Sequence, residues 1–130
     1  MDSNSKLIIE IYLKSVADLL RTLHPEPFSS AEVSLIRLFL LGVTDFVRQA
    51  NKLKNQEFFE LYSLALDNFN ISRPDSTAEL IDFLHEQIKA SKTLSEIVRI
   101  GAGSVFSYTA NNDDNSAFDL LKLLQASKED

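Results

Sequence analysis

The sequence predicts an all-α fold, a compact bundle of five or six helices, on three observations. Apolar residues recur at spacings of three and four along most of the chain, which is the pattern of amphipathic helices. The spacing of a helix capping box, Ser or Thr followed three residues later by an acid, appears at several predicted helix starts. Only three Gly and three Pro occur among the 130 residues, which leaves too little turn chemistry for many short strands.

The first predicted helix covers residues 6–23 and ends at a proline-rich segment. Its apolar stripe consists of Ile9, Leu13, Val16, Leu20 and Leu23. The segment His24-Pro25-Glu26-Pro27 stops the helix, because proline lacks an amide donor and restricts the residue before it. We expect His24 to lie at the helix C-terminus, where the free carbonyl groups favour a cation. Residues 1–5 are expected to be frayed.

The second predicted helix is apolar around most of its circumference. It begins at the capping-box pair Ser29 and Glu32. Its main stripe consists of Val33, Ile36, Leu40, Val43 and Val47, and a second apolar set consists of Leu35, Leu38, Phe39, Leu41 and Phe46. One neighbouring helix cannot cover both sets. Either the helix is central in the bundle, or the second set is a candidate interface with a protein partner or a second copy.

Four further helices are predicted towards the C-terminus, with softer boundaries. A polar stretch at residues 49–56 separates the second helix from a third, which runs through residues 58–69 and ends near residues 70–74. Capping-box spacings open the other three helices, at Ser76 with Glu79, at Thr93 with Glu96 and at Ser116 with Asp119. Residues 127–130 are expected to be frayed. We expect one domain over residues 1–130, because no linker or repeat divides the chain.

Gly101-Ala102-Gly103 leaves an alternative open within the fifth helix. The segments on either side are rich in Val, Ile, Phe and Tyr, so the glycines fit a turn between two short strands. The helix is favoured because a capping signal precedes it and no other strand is predicted to pair. In a helix, the two glycines would permit a close crossing or a kink.

Composition and charge limit the classes of function. There is no Cys, which excludes thiolate nucleophiles and thiolate metal sites. No secretory signal and no membrane span are visible, so we expect a soluble, cytoplasmic protein. The net charge is −6, and residues 55–130 hold 13 Asp and Glu against 6 Lys and Arg. An acidic chain repels phosphate backbones, which argues against a nucleic-acid partner.

No motif in the sequence specifies catalysis, a cofactor or a metal. His85-Glu86 begins like a zinc-protease signature, but Lys89 occupies the place of the second His. The loop Asn111–Asn115 lacks the glycine and glutamate positions of a calcium-binding EF-hand. Residues 120–124 match a leucine-rich docking box, which we interpret as part of the core of this chain.

The sequence therefore favours a non-enzymatic interaction or regulatory protein over an enzyme. A small acidic inhibitor or an immunity-type partner of a basic protein fits the charge asymmetry and the highly apolar second helix. The alternative is a helical binding module for an apolar small molecule or a lipid, with a pocket lined by some of the nine Phe residues.

Overall fold

Helices make up the architecture, as the sequence predicts. The structure, a computed structural model, describes residues 2–71 and 76–129, and in these ranges it contains six α-helices, one 3-10 turn and no strand. The helices are α1 (Ser3–Leu23), α2 (Ser30–Asn51), α3 (Asn55–Asn68), α4 (Thr77–Ala90), α5 (Lys92–Asn111) and α6 (Asp119–Glu129), and the 3-10 turn is Asp114–Phe118. Within the described ranges no helix is long and apolar enough to cross a membrane.

Helices α2 and α5 form the centre of the bundle and pack against each other more extensively than any other pair. Two glycines allow this close approach. A Cβ atom on Gly42 would lie 1.9 Å from the carbonyl oxygen of Val98, and one on Gly101 would lie 2.1 Å from that of Phe39. The two backbones are therefore in direct contact, as the prediction of a close crossing at Gly101 required.

The alternative of a short hairpin around Gly101–Gly103 is wrong, because α5 runs without interruption from Lys92 to Asn111. The side chain of Ser91 caps the helix by accepting a hydrogen bond from the Leu94 amide at 3.3 Å. No strand in the described part of the chain is available to pair with a hairpin at this position. The second glycine, Gly103, points into open space and is not part of the crossing.

A chain of hydrogen bonds through the core joins α1, α5 and the 3-10 turn. The Ser104 hydroxyl donates to the backbone carbonyl of Ser116 at 2.9 Å. Its only hydrogen is then in use, so the Tyr12 hydroxyl, 2.5 Å away, donates to Ser104. Burial raises the pKa of Tyr12 above its usual value, because the charged phenolate is poorly solvated there.

Several predicted helix boundaries are confirmed and others need correction. The capping box of Ser29 and Glu32 is present, and Ser76 caps α4 through the amide of Glu79. Thr93 is not a cap, because α5 begins one residue earlier and is capped by Ser91. Ser116 is not a cap either: it lies buried within the 3-10 turn, which Asp113 caps.

Both chain ends are more helical than the sequence indicates. Helix α1 begins at Ser3, because the carboxylate of Asp2 accepts the amide of Ser5 at 2.8 Å and so caps it. Helix α6 continues to Glu129. The sequence predicts that the third helix ends near residues 70–74. Helix α3 ends at Asn68, and residues 72–74 lie outside the described residues.

Candidate functional site

The predicted interface on α2 lies mostly inside the bundle. Leu38, Phe39 and Leu41 are 2%, 0% and 1% exposed, while Leu35 and Phe46 are half-buried and pack against the core. The sequence could not decide between a central helix and an interface, and the structure shows the central helix. Helices α3, α5 and α6 all contact α2.

One depression in the surface is the arginine groove, which we define by its two arginines, Arg21 and Arg37. It lies where the end of α1, the start of α2 and the end of α3 meet, and its volume is about 560 Å³. Its apolar walls include Leu20, Phe28, Val33 and Phe69. Ligand pockets commonly have volumes of about 300–1,000 Å³, so the groove has the size of a binding site.

A buried His–Glu pair supports one wall of the arginine groove. His24 Nε2 lies 2.6 Å from Glu32 Oε2, and His24 Nδ1 lies 3.1 Å from the backbone oxygen of Glu26. The other Glu32 oxygen accepts the Ser29 amide at 2.9 Å, as the capping box requires. The amide of Ser29, with help from His24, holds the pKa of Glu32 below its usual value despite burial. Both ring nitrogens of His24 are therefore engaged within the fold.

The two arginines of the groove differ in how well they are paired. Arg21 donates to Asp18 at 2.5 Å and to the backbone oxygen of Asn68 at 2.9 Å. Arg37 is half-buried, and its Nε atom is fully buried with no hydrogen-bond partner among the described residues. Its guanidinium group forms no ion pair in the described part of the chain. One arginine in the groove is thus uncompensated.

A second candidate surface, the α1 ridge, is formed by Leu7, Ile8 and Ile11 on the outward face of α1. These side chains are 55%, 42% and 46% exposed, although the neighbouring Ile9 and Tyr12 are buried. Exposed aliphatic residues occur singly on most proteins, but a contiguous group of three on one helix face is the pattern of an interaction surface. The periodicity of the sequence predicts that Ile9 is buried, but it does not predict that its apolar neighbours are exposed.

The α1 ridge runs between two small grooves whose charged residues are mainly acidic. The groove towards α3 is lined by Lys6, Glu10, Leu53, Glu57, Glu60, Leu61 and Leu64. The groove towards α5 is lined by Ile8, Ile11, Tyr108, Thr109, Asn112 and Asp114. Together they hold four carboxylates and one ammonium group. The ridge is therefore an apolar strip with an acidic border.

Of the remaining sequence motifs, one lies apart from both surfaces, one borders the α1 ridge and one lies in the core. His85 is exposed on α4, and residues 111–115 form an exposed connection in which Asn112 adopts the left-handed conformation that ends α5. Leu120, Leu121 and Leu124 are buried, which confirms that the leucine-rich box closes the core of this chain. Within the described residues no group of three or more His, Asp or Glu side chains is placed to hold a metal ion.

Comparisons with protein-family models, with curated proteins and with solved structures gave no match for this chain.

Proposed function

We propose that this protein is a non-enzymatic interaction module that binds a basic amphipathic helix of a partner protein along the α1 ridge. The observation that carries the proposal is the simultaneous exposure of Leu7, Ile8 and Ile11 on one face of a well-packed helix. An acidic inhibitor or an immunity-type protein would occupy a basic partner in this way, and a regulatory role of that kind is the form of the proposal that we favour.

The fold does not require apolar residues at these three positions. The inward face of α1 is already complete, since the stripe from Ile9 to Leu20 is buried. The outward face would be solvated equally well by polar side chains, as it is at Lys14 and Asp18 further along the helix. Burial of this apolar area against a partner would stabilise the complex by about 25 cal/mol for each Å² removed from water.

The charges beside the α1 ridge indicate the chemistry of the partner. Glu10, Glu57 and Glu60 line one flank and Asp114 lines the other, with Lys6 as the only cation among the lining residues. A helix with an apolar stripe and flanking Lys or Arg side chains would match both the ridge and its border. A second copy of this acidic chain would bring like charges together, so the charges favour a different partner over self-association.

The proposal can be tested with two labelled synthetic helical peptides that share a leucine stripe and carry either Lys or Glu on the flanking positions. Fluorescence anisotropy should show binding of the Lys peptide and at least about tenfold weaker binding of the Glu peptide, a difference of about 1.4 kcal/mol. The double variant Leu7→Ser/Ile11→Ser should weaken binding of the Lys peptide by at least about tenfold. Leu23→Ser is the matched control, because Leu23 is 51% exposed on the same helix but lies outside the ridge.

Three outcomes would overturn the proposal. The Lys peptide fails to bind the wild-type protein, the two peptides bind equally well, or the double variant binds as the wild type does. Sedimentation velocity provides a further check on the occupant. A wild-type dimer that the double variant converts to a monomer would assign the α1 ridge to a second copy instead of a basic partner.

A further inference from the structure

We infer that the arginine groove binds a small molecule with a carboxylate head and an apolar body, such as a medium-chain carboxylic acid, and that Arg37 is the residue that pairs with the carboxylate. This site is separate from the α1 ridge and does not depend on the proposed protein partner. Its existence would make the protein a receptor for a small anionic ligand in addition to its proposed interaction role.

Arg37 lacks an ion-pair partner in the described part of the chain, whereas the carboxylates near it are engaged elsewhere or exposed. Both carboxylate oxygens of Glu32 are occupied, by His24 and by the Ser29 amide. Asp18 is engaged with Arg21, which is exposed at the edge of the groove. Glu26 also lines the groove, but it is exposed and forms no ion pair with Arg37.

An unpaired guanidinium group in this position is unfavourable. The Nε atom of Arg37 is out of contact with solvent, and a buried donor without an acceptor costs about 1–3 kcal/mol. The guanidinium group has a planar arrangement of donors that matches the two oxygens of a carboxylate. A carboxylate bound in the groove would pair with the solvent-accessible part of this half-buried guanidinium group and would supply the missing opposite charge.

The rest of the groove fits an apolar body. Phe28, Val33, Leu20 and Phe69 line the groove together with Arg37. Phe28 is held in place by its ring contact with His24, whose centroid is 5.0 Å away, and His24 is itself fixed by Glu32. The wall is therefore preorganised, which reduces the ordering cost of binding. Two of the nine Phe residues of the chain, Phe28 and Phe69, line this groove.

Decanoate and decanol, which share a chain length and differ in charge, provide the test. We expect NMR titration of the wild-type protein to show decanoate binding at least about tenfold tighter than decanol, with shifted amide signals at Phe28, Val33 and Phe69. In Arg37→Gln, decanoate affinity should fall to that of decanol. Arg99→Gln is the matched control, because Arg99 is exposed on α5 and does not line the groove, and decanoate affinity should be unchanged in this variant. Acetate should not bind, because it has the head without the body.

Arg37→Met provides a second variant, with an unbranched apolar side chain in place of the guanidinium group, if Arg37→Gln folds poorly. It should unfold at a higher temperature than the wild type, because it removes the unpaired donor, and it should also lose the preference for decanoate. Equal affinities of decanoate and decanol in the wild type, unchanged decanoate affinity in both Arg37 variants, no binding of decanoate, or signals that shift only outside the groove would each overturn the inference.

Discussion

Gly42 of α2 and Gly101 of α5 each face the backbone of the opposite helix, so neither position can carry a side chain at the central crossing. The carbonyl oxygen that a Cβ would meet belongs to Val98 for the first glycine and to Phe39 for the second. Backbone atoms cannot rotate away as a flexible side chain can. These two glycines, whose side chains are single hydrogen atoms, therefore set the separation of the two central helices.

Replacement of either crossing glycine by alanine should destabilise the protein. Gly42→Ala and Gly101→Ala each force the helices apart, and we expect a loss of about 3 kcal/mol in the free energy of unfolding, at the upper end for an overpacked core. Gly103→Ala is the control, because Gly103 faces open space within the same helix and should gain about 0.5–1 kcal/mol. Urea unfolding followed by circular dichroism measures all three. Equal stabilities of the Gly101 and Gly103 variants would disprove the close crossing.

Acid should destabilise the protein in part through Glu32. Its pKa is lowered in the folded state from an ordinary value of 4.5, so the charged carboxylate is favoured by folding. The resulting stability is fully present above pH 4.5 and is lost as the pH falls through the lower folded value. Glu32→Gln should reduce stability by about 2 kcal/mol at pH 7 and flatten the loss of stability as the pH falls below 4.5. Glu26→Gln, at an exposed position nearby, should leave the pH profile unchanged.

The hydrogen bond between Tyr12 and Ser104 should contribute measurably to stability. Tyr12→Phe removes the donor and should cost about 1 kcal/mol in thermal or urea unfolding. Ser104→Ala leaves both the Tyr12 hydroxyl and the Ser116 carbonyl without this partner and should cost about 2–3 kcal/mol. Tyr108→Phe is the matched control, because Tyr108 contacts the Tyr12 ring but is not part of the hydrogen-bond chain. A Tyr12→Phe variant as stable as this control would contradict the assignment.

A charge at Leu41 should unfold the protein, and it should not produce a folded protein with altered association. Leu41 is buried in α2, so Leu41→Glu places an unpaired charge in the core and should cost at least about 4 kcal/mol. Leu7→Glu, at an exposed position on the α1 ridge, should change the free energy of unfolding by less than about 1 kcal/mol. Thermal melts with light scattering distinguish the two. A folded Leu41→Glu protein with altered association would restore the original interface hypothesis for α2.

Local signals in the sequence predict most of the helices but not the packing contacts between them. The capping box of Ser29 and Glu32 and the proline stop after His24 both act within a few residues, and the structure has both. Gly42 lies in the most apolar helix and shows no local sign of its role, which depends on a helix more than fifty residues later. Thr93 has the spacing of a cap, but the hydroxyl of Ser91 can also accept a backbone amide, and Ser91 is the residue that caps α5.

The candidate sites were less predictable than the fold, because each depends on residues from separate elements. Glu32 is recognisable as a capping residue, yet its second partner, His24, lies across a proline-containing loop. Arg37 interrupts an otherwise apolar run, which indicates a polar environment at this position of α2. Its lack of a partner, however, is visible only once α1 and α3 surround it. The exposure of Leu7 and Ile11 likewise follows from which face of α1 the other helices cover.

The pairing of α2 with α5 also bears on how the chain folds. The two helices are separated by 40 residues, Lys52 to Ser91, which include α3 and α4. Formation of the most extensive contact of the native state thus closes a long loop. The chain loses the conformational entropy of this loop before the contact between the helices stabilises it. We therefore expect α2 and α5 to join late relative to local helix formation, and the amide groups at the glycine crossing to exchange with solvent only through global unfolding.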